Sequence, residues 1–210
     1  MNVQSIWRIL AWTNVVIYAF LVYEMWQLWT APTPDDLGRI TTFALLMGFE
    51  FILVHSAIFM KVFPRKVSIL FLIPVYGVVA LMLNSGTDNN VILYLYLGLL
   101  FTRLRYMFSG ADSEHRSKVL KTSIIAGFLY LFSVAVIALG ETSLPEKGLN
   151  KAFLTANNYY ESLTVQGIFT ENPHLPLIMG IVYFTSMIGL ELLTSVFHRF
   201  TLDKKSEGVT

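Results

Sequence analysis

The chain has 210 residues, 55% of them hydrophobic, 14% aromatic and only 14% charged, with a formal net charge of +1. A soluble domain carries about a quarter charged residues and could not hide this much apolar surface, whereas a bilayer can. The near-neutral charge gives no basis for a nucleic-acid partner, and the lack of cysteine excludes disulfides, thiolate metal sites, covalent c-type haem attachment and palmitoylation.

No linker, repeat or low-complexity stretch divides the sequence. It therefore reads as a single transmembrane helical domain over 1–200, followed by a short polar cytoplasmic tail over 201–210. The stretch from Ile9 to Leu28 is too long for a signal-peptide core and is followed by no A-x-A-like site, so it reads as the first span. Hydrophobic runs then predict spans at 7–29, 40–61, 67–83, 91–108, 119–139 and 176–198, an all-α polytopic bundle of about six transmembrane helices. Turn chemistry separates the early ones: Ala31-Pro32-Thr33-Pro34-Asp35-Asp36, Phe63-Pro64-Arg65-Lys66 and Asn84-Ser85-Gly86-Thr87-Asp88-Asn89. Pro74 falls inside the third span and predicts a kink there, because it removes a helical hydrogen bond.

Of the 15 Lys and Arg residues, only Arg39, Lys147 and Lys151 fall outside if the N-terminus is cytoplasmic. The other twelve lie in inner segments, which predicts both termini cytoplasmic in a protein integral to the plasma (inner) membrane. Trp7 at one end of the first span, and Trp26 and Trp29 at the other, fit aromatic belts. Glu24, between Tyr23 and Trp26, reads as interfacial and solvated. The basic loop from Arg103 to Lys121 is expected to meet anionic lipid headgroups of the bilayer.

Between spans five and six lies the longest non-spanning stretch, about Glu141 to Leu175. Its centre, Asn150 to Phe169, mixes Phe153, Leu154, Tyr159 and Leu163 with Asn157, Asn158, Glu161 and Gln166, the composition of an outer amphipathic surface helix. A re-entrant pore element around Ser162-Leu163-Thr164-Val165-Gln166-Gly167 is the alternative. A potassium-type filter needs an aromatic–glycine pair after its first glycine, and Ile168-Phe169 follows here.

Chemistry has to come from polar groups at membrane depth. Glu50 lies about 15 Å in from Ile40 at 1.5 Å per residue, near the midplane, and His55 lies deeper toward the cytoplasm. Five helical steps set the two about 140° apart, so each needs its own partner. In span six, Glu191, Thr194, Ser195 and His198 form a stripe at i, i+3, i+4 and i+7. A bare carboxylate at this depth costs at least about 2.5 kcal/mol, so Glu50 and Glu191 are expected to face the bundle interior, with Arg103 of span four as the favoured partner of Glu50. Glu50, His55, Arg103 and Glu191 thus make up a candidate buried polar centre, for binding or proton relay, and Thr194, Ser195 and His198 a secondary stripe. Bland readings stand beside these: Arg103 as part of the positive-inside boundary, His198 as an interfacial histidine, and His55 as a core histidine bonded to a backbone carbonyl.

Motifs for metalloproteases, serine hydrolases and P-loop enzymes are absent. His198 and Asp203 match the H-x4-D spacing of glycerolipid acyltransferases, but too little chain follows to build substrate pockets. Three function classes remain. One is a small proton- or solute-handling protein. Another is an accessory or binding subunit, a homo-oligomer or partner of another membrane protein, docking through a small-residue face such as Ser123-x-x-x-Gly127. The third is a membrane enzyme that binds haem or a metal through His55 or modifies lipid; cofactor and metal are otherwise unknown.

Overall fold

The computed structural model describes the backbone of residues 3–62, 67, 70, 73–85, 90, 93–94, 96–97, 113–141 and 143–207. Side chains are described within these at 12–52, 54–55, 67, 70, 73–85, 90, 93–94, 96–97, 121, 123–141 and 143–193. Among the described residues every regular element is a helix. They are α1 (Val3–Thr30), a 3-10 turn (Pro34–Asp36), α2 (Leu37–Val62), α3 (Ile73–Asn84), α4 (Ser113–Gly140), α5 (Lys151–Ala156), α6 (Tyr159–Ser162), α7 (Ile168–Glu171) and α8 (His174–Glu207).

The all-α expectation holds, and α1, α2, α4 and α8 cover the predicted first, second, fifth and sixth spans. Among the described residues, two helical stretches are long and apolar enough to cross a membrane, Ser123–Gly140 in α4 and His174–Leu193 in α8; α3 is apolar but shorter. The predicted fourth span falls largely outside the described residues. Pro74 stands in the first turn of α3, where its missing N–H costs no helical bond. The residues just before it, 71–72, lie outside the described set, and with them the expected kink. At the other end of the chain, α8 runs across residue 200 to Glu207 without a break.

Four long helices enclose one apolar core, with Met25 and Leu28 of α1, Ile40 and Met47 of α2, Ala126, Tyr130 and Ile137 of α4, and Leu177, Met179 and Tyr183 of α8. Their relative directions follow from the contacts. Asn14 meets Glu191, and Tyr18 stacks on Phe184. Met25 lies against Gly180. Numbers rise on α1 as they fall on α8, so these helices are antiparallel. Met47 lies against Gly180 and Glu50 bonds to Tyr183; numbers rise together, so α2 and α8 are parallel. Gly180 permits this three-helix approach. A Cβ there would lie 2.3 Å from the Met25 sulfur and 2.9 Å from that of Met47, both side chains fully buried.

Ala126, Tyr130, Ser133 and Ile137 of α4 recur at helical spacing and are buried, and Gly127 is buried beside them. The glycine of the small-residue face is therefore covered within the chain. Opposite faces are apolar and exposed. Trp12, Val16, Phe20 and Tyr23 line one side of α1, and Phe128, Leu131, Phe132 and Leu139 one side of α4.

At the expected outer end, the linkers fold back onto the helices. Thr33 and Asp36 close the turn before α2, with Thr33 N and Oγ1 donating to Asp36 Oδ2 at 3.0 and 2.7 Å. Arg39 pairs with Glu24 and, at 2.7 Å, with Asp36. Glu24 is thus ion-paired rather than simply solvated. Trp29 Nε1 donates to the Pro145 carbonyl at 2.9 Å, and Gly148 N donates to the Trp29 carbonyl at 3.1 Å. The Lys147 ammonium rests 4.4 and 4.1 Å from the ring centroids of Trp26 and Trp29. Gly148 has no alternative here, because a Cβ would lie 2.3 Å from Pro32 Cδ and 2.9 Å from the Thr30 carbonyl oxygen.

The single amphipathic helix expected over 150–169 is not formed. Asn150 caps α5, its side chain accepting from Phe153 N at 2.9 Å. The helix then ends at Asn157 and Asn158, and Asn158 takes the left-handed conformation, φ 54°, which asparagine tolerates better than most residues. Breaking there lets Leu154, Tyr159 and Thr170 turn into the bundle end, with Tyr159 Oη donating to the Thr170 carbonyl at 2.9 Å. Burial, the larger effect, and neighbouring Tyr160 push the Tyr159 hydroxyl up to about 12, against a lowering contribution from Thr41. Burial of three inward side chains outweighs what one straight helix on the surface could gain.

Candidate functional site

Glu50 lies about 20 Å along α2 from Leu37, at the middle of the helix. Tyr183 of α8, 2% exposed, donates its hydroxyl to Glu50 Oε1 at 2.9 Å. Tyr130 of α4 approaches one turn away and donates to the Met47 carbonyl at 2.7 Å. The Tyr130 and Tyr183 rings meet edge to face, centroids 5.5 Å apart, and Tyr183 leans on Phe184 at 5.1 Å. Tyr18 of α1 stacks on Phe184 at 5.7 Å. All four long helices thus send an aromatic or acidic side chain to one level of the bundle. The Tyr183 phenol turned toward the Glu50 carboxyl supplies a donor in an apolar shell, which lowers the desolvation penalty of a part-buried acid.

A second acid sits nearer the expected cytoplasmic end. Asn14 Nδ2 of α1 donates to Glu191 Oε1 of α8 at 2.9 Å. Tyr18, one helical turn from Asn14, stacks on Phe184 beside Tyr183, so the α1–α8 seam runs from the level of Glu50's donor to Glu191.

His55 takes a different place. Its Nδ1 lies 2.7 Å from the Phe51 carbonyl of its own helix. A carbonyl only accepts, so Nδ1 carries the proton in that bond. The ring also packs on Phe51, centroids 4.1 Å apart. This is the backbone-bonded arrangement of the bland reading, on another side of α2 from the Glu50 contact. Arg103 lies outside the described residues. Thr194, Ser195 and His198 continue α8 beyond Glu191, but their side chains are not among those described. Among the described residues no three His, Asp or Glu side chains gather as a metal site would require. No family model, curated protein or solved structure matches the chain.

Charge-pair reasoning missed Tyr183, Tyr130, Tyr18 and Asn14. A signal for them was present. Tyrosine in a span usually sits at the interface, with its hydroxyl in reach of water. Tyr18, Tyr130 and Tyr183 stand mid-helix instead, so each hydroxyl needs an internal partner. Asn14, an amide inside an apolar run, carries the same demand.

Proposed function

We propose that this chain is a multi-pass protein of the inner membrane, with six spans and both termini cytoplasmic, whose bundle holds a protonatable carboxyl centre and handles protons or a small proton-coupled solute. The hydrogen bond from Tyr183 to Glu50 carries this reading. A carboxyl at mid-depth costs about 2.5 to 3.5 kcal/mol on insertion scales, and a leucine there would cost nothing, so a fold that keeps the acid and gives it a donor from another helix has a use for it. The exposed apolar faces of α1 and α4 support immersion in lipid. The parallel α2–α8 relation supports an odd number of crossings between those two helices, and the antiparallel α1–α8 relation an even number between α1 and α8, as six spans require. In the same reading Arg103 supplies a countercharge to the Glu50 carboxylate, and the basic residues up to Lys121 meet anionic headgroups.

The test is a pair of substitutions in the reconstituted protein, read by a pH dye trapped inside vesicles under an imposed potential. Glu50→Gln, which keeps shape and hydrogen bonding, is expected to abolish proton movement while leaving the protein folded and inserted. Unchanged proton movement in Glu50→Gln, combined with failed assembly in Glu50→Leu, would reduce Glu50 to a structural role. Topology is read separately. Alkaline-phosphatase fusions are expected to be inactive after Arg65 or Lys204 and active after Lys147, and the reverse pattern overturns the orientation.

A further inference from the structure

The proton reading leaves open how a proton passes between Glu50 and the expected cytoplasmic end, and the seam between α1 and α8 offers an answer that rests on that reading. Level with Glu50 on α8 stands Tyr183. Glu191 is eight residues further along the same helix, about 12 Å nearer the expected cytoplasmic side. That gap is too long for a direct transfer, so a group between the two acids is needed. Tyr18 occupies the interval, stacked on Phe184 at one end and one helical turn from Asn14, the donor to Glu191, at the other. Side chains on a helix lean toward its N-terminus. Because α1 and α8 run in opposite directions, the Tyr18 phenol leans toward the Glu191 level while the Glu191 side chain leans back toward Tyr18.

We infer that Tyr18 joins Glu50 to Glu191 as a proton connection to the cytoplasmic end of the bundle, and that His55 lies outside it. Glu50, as the acid, passes its proton through water to the Tyr18 oxygen. The Tyr18 hydroxyl releases its own proton to the Glu191 carboxylate. One O–H bond forms and one breaks at Tyr18, which ends neutral; Glu50 is left as the carboxylate and Glu191 as the acid. His55 does not share this line. Its Nδ1 is held by the Phe51 carbonyl and its ring by the Phe51 ring, about 140° around α2 from Glu50.

Time-resolved infrared spectroscopy on the full chain in lipid nanodiscs, after a pH jump, tests this. The carboxylic-acid bands lost in Glu50→Gln and in Glu191→Gln assign the two acids. Tyr18→Phe keeps the ring and its stacking. It is expected to leave the Glu50 band in place but slow its proton exchange about a hundredfold, the low end of what a positioned proton donor contributes. Glu191→Gln should slow it similarly, and His55→Gln should leave it unchanged. Unaltered exchange in both Tyr18→Phe and Glu191→Gln, or slowing in His55→Gln, overturns the connection while Glu50 remains a protonatable centre. A Glu50 band absent at every pH removes the proton reading itself, which is a distinguishable failure.

Discussion

The expected outer end of the bundle and its middle handle charge differently. At the outer end Arg39 pairs with Glu24 and Asp36, and Lys147 rests on Trp26 and Trp29. In the middle, a phenol and an amide, Tyr183 and Asn14, are the donors to Glu50 and Glu191 among the described contacts. Near water, opposite charges can be brought together at little cost, and such pairs contribute little. At depth a second charge has to be desolvated as well, so a neutral donor satisfies a carboxyl without adding that penalty. The lesson is that looking only for a base to pair with each acid overlooks neutral donors such as Tyr183 and Asn14.

The largest expected effect probes the middle. Tyr183→Phe removes the hydroxyl donor to Glu50 and nothing else, and should cost about 2 kcal/mol, the value of a hydrogen bond to a charged group. Thermal unfolding in a fixed detergent reads this loss. A change near zero would mean that the middle relies on other donors, and the contrast with the outer end would weaken.

The next effect concerns packing at the outer end. Gly148→Ala forces a methyl group against Pro32 and the Thr30 carbonyl, and overpacking of this kind costs about 1 to 3 kcal/mol. The same unfolding measurement, accompanied by faster proteolysis between Glu141 and Asn150, is the expected signature. An Ala variant as stable as the parent would show that this loop is not held against α1.

A third measurement is alkaline stability. The Tyr159 hydroxyl is raised from 10.0 to about 12 by burial. The folded state therefore keeps a proton that the unfolded state has lost once the pH passes 10. Its contribution is complete below pH 10 and declines as the pH rises through about 12. Tyr159→Phe should flatten the fall in stability across that window, measured by denaturant titration at stepped pH. An identical slope would mean that the hydroxyl is not buried in solution.

Smallest of all, Arg39→Ala should cost under about 1 kcal/mol, and less at high salt, since the Arg39 side chain is about half exposed. A loss comparable to that in Tyr183→Phe would erase the distinction between the two regions.

The long helices were legible because each is a sustained apolar run bounded by turn residues, as at Ala31 to Asp36. The place of Glu50 along its helix could also be read, since counting from Ile40 puts it near the middle of α2. The bond from Tyr183 to Glu50 could not be read, because the two are 133 residues apart and a tyrosine in an apolar run looks like core or belt. The break at Asn158 was hidden for a different reason. Hydrophobic periodicity continues across it, and only the backbone shows that one residue turns left-handed so that Tyr159 can be buried.

The bonds from Trp29 to Pro145 and from Gly148 to Trp29 have a mechanical consequence. They fasten the C-terminal end of α1 to the loop that follows α4, within the same strip that Lys147 covers. Two rods pinned together at one end can separate only at the other. Any rocking of α1 against its neighbours therefore pivots at that latch, and the amplitude grows with distance along the helix. Asn14 and Glu191 lie far out on this lever arm, so among the described α1–α8 contacts theirs is the one that a small rotation would open first.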